Sequence, residues 1–293
     1  MPSQRDIRRR IRSAKNTGQL TKAMQLVAAS RMRRAQMRVQ ESRPYADAIR
    51  DVLANLGDIS GTDRDRLQQV RERQNVGIVL VTPDRGLCGA LPGNLNRAVA
   101  RFATGQSTTM KFVTVGKKGR DFAVRTRQAV VADHSGYGDY PDIGLAENIA
   151  TVVIEAFRSG EVDAVYLAYA RLVSTLKQEP TIIQLLPVED AAPADGRARD
   201  DGHAKPKALV EFEPSAPDVL SELLPRYVEV QIYQALLESK ASEQSARMVA
   251  MQAAAENAKD LVNSLTLTYN KVRQANITRE IAEITGGSVA LSG

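Results

Sequence analysis

Two long stretches of the chain carry apolar residues at spacings that alternate between three and four. In the first, positions 7, 11, 14, 18, 21, 25, 28, 32, 35, 39, 42, 46, 49, 53 and 56 read Ile, Ile, Ala, Gly, Thr, Gln, Ala, Met, Ala, Val, Ser, Ala, Ile, Leu, Leu. Eleven of these fifteen are apolar, which predicts a helix from Ser3 to Leu56 with a coiled-coil seam of small residues. Pro44 falls inside it, at a cost of ~3 kcal/mol that packing must offset. Between Gly18 and Gln25 the seam loses its apolar residues, and Leu20, Met24 and Val27 stand one position out of register. Two readings are open: a stutter in the coil, or a second apolar face that touches another partner.

The second stretch, Arg226 to Thr285, has 60 residues without Gly or Pro and is expected to stop at Gly286-Gly287. At 1.5 Å per residue it is a helix of ~90 Å, against a diameter of ~50 Å for a compact chain of this length. Positions 227, 230, 234, 237, 241, 244, 248, 251, 255, 258, 262, 265, 269 and 272 repeat the alternation, and twelve of the fourteen are apolar. Two seams in one chain most simply pair with each other. One helix returns to the intervening region and the other leaves it, so the pair is antiparallel. The last helix is longer by ~16 residues, which leaves ~24 Å that its partner cannot cover.

Between the seams the period changes. Apolar runs at Val76–Thr82, Phe112–Val115, Ala129–Ala132, Val162–Ala168 and Thr181–Val188 read as strands, separated by helices at about Pro92–Ala103, after Gly116, and at Gly144–Ser159. Strand–helix alternation predicts a small, largely parallel sheet with helices on both faces and room for an antiparallel edge among the later strands. Ala191–Lys207 is polar, charged and Pro/Gly-bearing and reads as a mobile surface loop; Leu209–Phe212 reads as a possible short strand. The expected fold class is therefore α/β plus a long antiparallel two-helix coiled coil formed by the N- and C-terminal helices. Its divisions are 1–57 (first helix), 58–75 (connection with a short helix), 76–213 (α/β domain, with the mobile loop at 190–208), 214–286 (last helix) and 287–293 (tail).

Composition adds three constraints. Aromatics make up 4% of the 293 residues and Trp is absent, as expected where much of the chain is slender helix. The single Cys88 excludes an intramolecular disulfide and a cysteine-rich zinc site. No apolar run approaches the ~18 residues needed to span a membrane, and the first residues lack an apolar signal core. The net charge of +6 is concentrated: residues 1–50 hold 13 Lys/Arg against 3 Asp/Glu.

Enzyme chemistry finds little support. There is no phosphate loop of the G-x-x-x-x-G-K-[ST] type, and the turn after the first strand, Asp84-Arg-Gly-Leu-Cys-Gly89, is not a dinucleotide fingerprint. Its glycines read as turn glycines, and Cys88 as a small buried thiol. Two histidines, His134 and His203, are a weak basis for a zinc site or a nucleophile–histidine pair. The basic residues Arg8, Arg9, Arg10, Arg12 and Lys15, then Arg31, Arg33, Arg34 and Arg38, could meet phosphates, but no stacking aromatics accompany them. A solvated face, or one that meets acidic protein, is the better reading, with a basic nucleic-acid-binding coil as the alternative.

Four separated segments carry a resemblance. Gln19–Gln36 (QLTKAMQLVAASRMRRAQ) resembles the N-terminal signature of the gamma subunit of F-type ATP synthases, and Asp84–Gly89 looks like that family's central motif. Ser242–Gln252 and Leu267–Ile281 resemble its C-terminal signature. The resemblance implies a non-catalytic rotor shaft for a proton-translocating synthase, coupling rotation of the membrane c-ring to the cycling of catalytic beta subunits in ATP synthesis or ATP-driven proton pumping. It implies as partners the alpha–beta hexamer, the epsilon subunit and the ring of c subunits, no nucleic acid, and no cofactor held by this chain. It further implies partner contacts at Leu20, Lys22, Met24 and Val27, with Met24 where the coil meets an acidic beta-subunit loop. Arg273 and Gln274 match the family pair that contacts the beta-subunit catch loop, and Thr278 is a further implied partner contact. The expected location is the cytoplasmic side of a bacterial plasma membrane, peripheral and held through the complex. A cysteine-pair switch of the plant chloroplast kind is excluded by the single Cys88.

Overall fold

The β-branched run Val76–Val81 is too apolar to be exposed on either face, and in the computed structural model it forms the centre of a sheet. The model describes residues 3–57, 66–106, 108–188 and 215–292. The strands are β1 (Asn75–Val81), β2 (Thr109–Val115), β3 (Ala129–Asp133), β4 (Ala164–Leu172) and β5 (Gln178–Leu186). The helices are α1 (Gln4–Gly57), α2 (Leu91–Thr104), α3 (Lys117–Arg125), α4 (Ile143–Arg158) and α5 (Ala216–Ser292), with a 3-10 turn at Arg66–Gln68. The five strands lie in the order β3-β2-β1-β4-β5. β1 is parallel to both β2 and β4, β2 is parallel to β3, and β5 runs antiparallel to β4 at one edge.

Strand alternation divides the core between the two faces of the sheet. Ile78 and Leu80 of β1, with Phe112 of β2 and Tyr166 of β4, pack against Leu95 and Val99 of α2 and Ala123 of α3. Val79 and Val81, with Val113, Val165 and Leu167, face Ile149, Val153 and Phe157 of α4, together with Ile49 and Leu53 of α1 and Leu224, Val228, Ile232 and Leu236 of α5. Both faces are covered, as an all-apolar parallel strand requires. α4 starts where Asp142 accepts a hydrogen bond from the amide of Leu145 (3.0 Å) and satisfies one free N–H of the first turn.

The chain divides into two compact units, Met1–Ala28 with Arg247–Gly293, and Ala29–Ala246. The larger contains the sheet together with parts of α1 and α5. In the smaller, α1 and α5 run antiparallel: a Cβ on Gly18 would sit 3.3 Å from the Cβ of Ala258, Gln25 Nε2 approaches Gln252 Oε1 at 3.4 Å, and the Arg8 guanidinium lies 5.4 Å from the ring centre of Tyr269. As one residue number rises the other falls, which is the pairing expected from the two seams.

Two expectations change. α5 does not stop at Gly286-Gly287; it runs to Ser292. Glycine costs a helix ~1 kcal/mol per residue but, unlike proline, leaves the hydrogen-bond ladder intact. β4 and β5 extend as a hairpin beyond the apolar runs that announced them. On β5 the added residues Gln178, Glu179 and Pro180 carry no apolar pattern, and on β4 Arg171, with Nη2 3.2 Å from Glu179 Oε2, interrupts the apolar residues Tyr169, Ala170 and Leu172. As expected, Pro44 lies inside α1 and Pro225 inside α5, and on either side of Pro44 the seam positions Ser42, Ala46 and Ile49 still avoid full exposure. The expected loop at 190–208 and strand at Leu209–Phe212 lie outside the described residues.

Candidate functional surfaces

In a sheet of this order the crevice for a ligand would open beyond the carboxyl ends of β1 and β4, where the connections diverge. The chain's own groups fill that place. The amide of Gly119 donates to Thr82 Oγ1 (2.7 Å), and Thr82 Oγ1 donates in turn toward the carbonyl of Gly116 (3.1 Å). Asp84 Oδ1 accepts from the amides of Lys117 and Gly136, both at 3.0 Å. A carboxylate therefore already holds the first amide of α3, the position a phosphate would take at a helix N-terminus. Gly116 has φ +95°, and a Cβ there would fall 2.0 Å from the carbonyl oxygen of Thr82, so this close approach requires glycine.

The far side of the same crevice is closed by α5. Cys88, Leu91, Ala170 and Ala246 form one buried cluster, and the Cys88 thiol points to the carbonyl of Arg85 at 3.7 Å. Ser242 Oγ donates to the carbonyl of Ala170 (2.8 Å), and Ser245 Oγ donates to that of Thr175 (2.7 Å). These two serines belong to the segment Ser242–Gln252, whose structural task the sequence did not disclose. Hydroxyls on a helix that bond carbonyls of a distant hairpin leave no periodic trace. The only available signal was a pair of small polar residues, Ser242 and Ser245, each one position beyond a seam residue.

The coil of the smaller unit resolves the interrupted seam. Positions 7 to 28 keep their register without a stutter, and none is fully exposed. Thr21 is 8% exposed, and its hydroxyl donates to the carbonyl of Thr17 (3.0 Å). Gln25 satisfies its amide against Gln252. Small and self-satisfied side chains thus occupy the seam, and the off-register apolar residues are left outside: Leu20 is 62% exposed and Val27 50%. Leu26 is likewise exposed, Met24 is half-buried, and Lys22 is exposed with its ammonium 3.1 Å from Gln25 Oε1.

The close approach of the two helices leaves a groove on each side. One, of about 660 Å³, is lined by Gly18, Ala23, Leu26, Ala255, Ala258 and Val262, with Lys15, Lys22 and Lys259 at its rim. The other, of about 600 Å³, runs past Ala14, Thr17, Ala254, Ala258 and Leu261.

Beyond Val272 the second helix runs out of partner within its unit. From Arg273 to Thr285 every residue except Asn276 is exposed, Gln274 and Thr278 included. This segment presents Ile277, Ile281 and Ile284 on one helical face, all of them exposed. The basic residues divide into two groups. Arg8, Arg9, Arg10, Arg12 and Lys15 are exposed. Arg31, Arg34 and Arg38, in the larger unit, engage an aspartate and a tyrosine ring of that unit. Among the described residues no cluster of His, Cys, Asp and Glu could hold a metal ion, and no helix is long and apolar enough to cross a membrane.

Comparison with known proteins gives this arrangement a family. The family model described as ATP synthase matches residues 3–291. The chain is 50% identical over 299 residues to the ATP synthase gamma chain of Roseiflexus castenholzii, covering 100% of this chain and 99% of that one. It is 47% identical to the ATP synthase gamma chain of Chloroflexus aurantiacus over the full length of both. Among solved structures it shares its fold with a chain of the Euglena gracilis mitochondrial ATP synthase rotor, at a TM-score of 0.66 and 20% identity, covering 94% of this chain and 98% of the other. The protein with two small-residue seams, a self-filled sheet crevice and an exposed apolar coil face belongs to the ATP synthase gamma chain family.

Proposed function

We propose that this chain is the central rotor shaft of a proton-translocating F-type ATP synthase. In this role it couples rotation of the c-ring to the conformational cycling of the catalytic beta subunits. One observation carries the reading: a two-helix coil whose own seam is complete still exposes Leu20, Leu26 and Val27 on one helix and Ile277, Ile281 and Ile284 on the other. Apolar faces of that extent are kept where another protein covers them. The Euglena chain of the same fold is part of a rotor, which supports the assignment.

The chain itself is a non-catalytic subunit; chemistry belongs to the nucleotide sites of its partners. Those partners are the alpha–beta hexamer, the epsilon subunit and the c-ring. Leu20, Lys22, Met24 and Val27 form the face that bears on an acidic beta-subunit loop, and Arg273, Gln274 and Thr278 meet the catch loop. The exposed cations Arg8 to Lys15 draw the coil toward acidic walls over the ~8 Å range that physiological salt leaves unscreened. The complex holds the chain at the cytoplasmic side of a bacterial plasma membrane, without insertion.

Co-purification tests the whole reading: an alpha–beta hexamer is recovered with the tagged chain, and its absence under conditions that keep the chain folded would refute it. Met24→Lys tests the bearing face by adding a charge beside Leu20 and Val27. Protons pumped per ATP hydrolysed are expected to fall, and an unchanged ratio removes Met24 from the coupling surface.

A further inference from the structure

The connection from β3 to α4, His134–Asp142, is tied to four parts of the larger unit. At its start, the amide of Gly136 donates to Asp84 beyond β1. The hydroxyl of Tyr137 reaches the carbonyl of Thr82 at 3.4 Å. At its end, Asp142 caps α4. Between these anchors the loop grips both long helices. Asp139 Oδ2 lies 2.6 Å from Arg31 Nη1 of α1, and Asp139 Oδ1 lies 3.9 Å from Lys240 Nζ of α5. The ring of Tyr140 takes the guanidinium groups of Arg38 and Arg34, at 4.4 and 5.7 Å from its centre. The ring of Tyr137 lies 5.1 Å from the Lys240 ammonium.

The α5 side of this grip is buried. Lys240 and Glu243 have side chains only 5% and 4% exposed and pair at 3.1 Å. Burial, with the charges of Glu243 and Asp84 nearby, raises the Tyr137 hydroxyl far above its ordinary pKa, so it remains a neutral donor. Buried charges of this kind contribute little net stability, because desolvation offsets their attraction. What they do impose is direction. The hydrophobic effect is non-directional and scales with area, so it sets the angle of a helix about its axis only through the shape of the packed side chains. Short charge-assisted hydrogen bonds and cation–ring contacts are lost when a side chain swings away.

We propose that residues 134–142 are a torque clasp: Asp139 and Tyr140, with Tyr137 beneath Lys240, fix the rotational setting of α1 and α5 against the sheet of the larger unit. The inference rests on the rotor reading above. Twist carried along the two helices reaches the sheet through contacts that resist rolling, and the clasp adds directional contacts to the packing of the apolar core. Asp139 and Tyr140 are thus positioning residues, far in sequence from every motif that identifies the family.

The test uses the assembled ATP synthase, with a probe fixed to the sheet unit of this chain and the hexamer immobilised in an arrested state. Thermal angular fluctuation of the probe reads torsional stiffness. Asp139→Ala with Tyr140→Ala is expected to broaden the angular distribution while assembly yield and bulk ATP hydrolysis stay at wild-type values. Asp139→Glu with Tyr140→Phe keeps a carboxylate and a ring and is expected to restore the narrow distribution. Equal widths for wild type and the alanine pair would overturn the proposal. If the alanine pair fails to assemble, Tyr140→Leu alone, at a partly exposed ring, is the next variant: a broader distribution supports the clasp and an unchanged one overturns it. Failure of the wild-type chain to assemble with a hexamer at all would instead count against the rotor reading. In that event the clasp is judged on the isolated chain by amide exchange at 134–142, where unchanged protection in the alanine pair overturns it.

Discussion

In the larger unit a buried position is filled by a residue such as Phe157, Leu167 or Ile149, packed between a sheet and a helix. In the smaller unit the corresponding place is taken by Ala14, Ala28 or Ala258. The contrast runs within single helices. α5 offers Leu224, Val228, Ile232 and Leu236 where it meets the sheet, and Met251, Ala255 and Ala258 where it meets α1 alone. The reason is geometric. A sheet face is broad, so large side chains can interdigitate and each fully buried one contributes ~1.5–3 kcal/mol. Two isolated helices share only a narrow strip, and small residues let the backbones approach so that the strip is filled. The result is a region that is slender and evenly packed but has little energy in any one contact.

That comparison can be broken or sharpened by substitution, beginning with the largest expected effect. Phe157→Ala removes a ring buried in the sheet core and should cost ~3–5 kcal/mol. Thermal or urea unfolding checks it, and a loss below that of a surface change would mean the core tolerates the void. Gly18→Leu drives a side chain against Ala258, whose Cβ already lies 3.3 Å from an ideal Cβ at Gly18. Overpacking of this kind costs ~1–3 kcal/mol, and it should lower helicity at a temperature where the sheet unit is still folded. Coincident melting of both units would show that the coil depends on the sheet for its stability. Leu20→Ala with Val27→Ala removes two exposed apolar residues and should change unfolding by no more than ~0.5 kcal/mol, while affinity for the hexamer falls. A large loss of stability would place these residues in a seam after all. Finally, ending the chain after Ala275 deletes a segment whose residues 277–285 are all exposed. Circular dichroism should lose only the helix deleted, and fraying that spreads below Val272 would show that the overhang supports the coil.

The groups that set the two regions apart were unequally legible. Both seams could be read residue by residue, because a period of three and four is a local property of a helix and repeats many times. The strands β1, β2 and β3 were legible for the same reason: their apolar runs are short, β-branched and bounded by glycine and polar turns. The candidate contacts Leu20, Met24 and Val27 were visible as an anomaly in register, but periodicity could not choose between a stutter and an exposed face. The choice depended on Gly18, Thr21 and Gln25, which look like breaks in a pattern and act as seam residues. Thr21 bonds its own helix, and Gln25 bonds a residue 227 positions away. The extension of β5 was invisible because Gln178 and Glu179 are polar and are held by pairing with β4, and that of β4 because Arg171 interrupts its apolar residues.

By itself, then, the sequence determined which segments are helix and strand, that the terminal helices pair antiparallel, and that one outruns the other. Each of these follows from short-range spacing and chain connectivity. Only the tertiary structure decided that the seam passes unbroken under Leu20, that Ser242 and Ser245 hold α5 to the β4–β5 hairpin, and that Asp139 and Tyr140 reach α1 and α5. Those contacts join residues about 70 to more than 100 positions apart. No local period encodes them, because their partners are brought together only when the sheet closes and buries its faces.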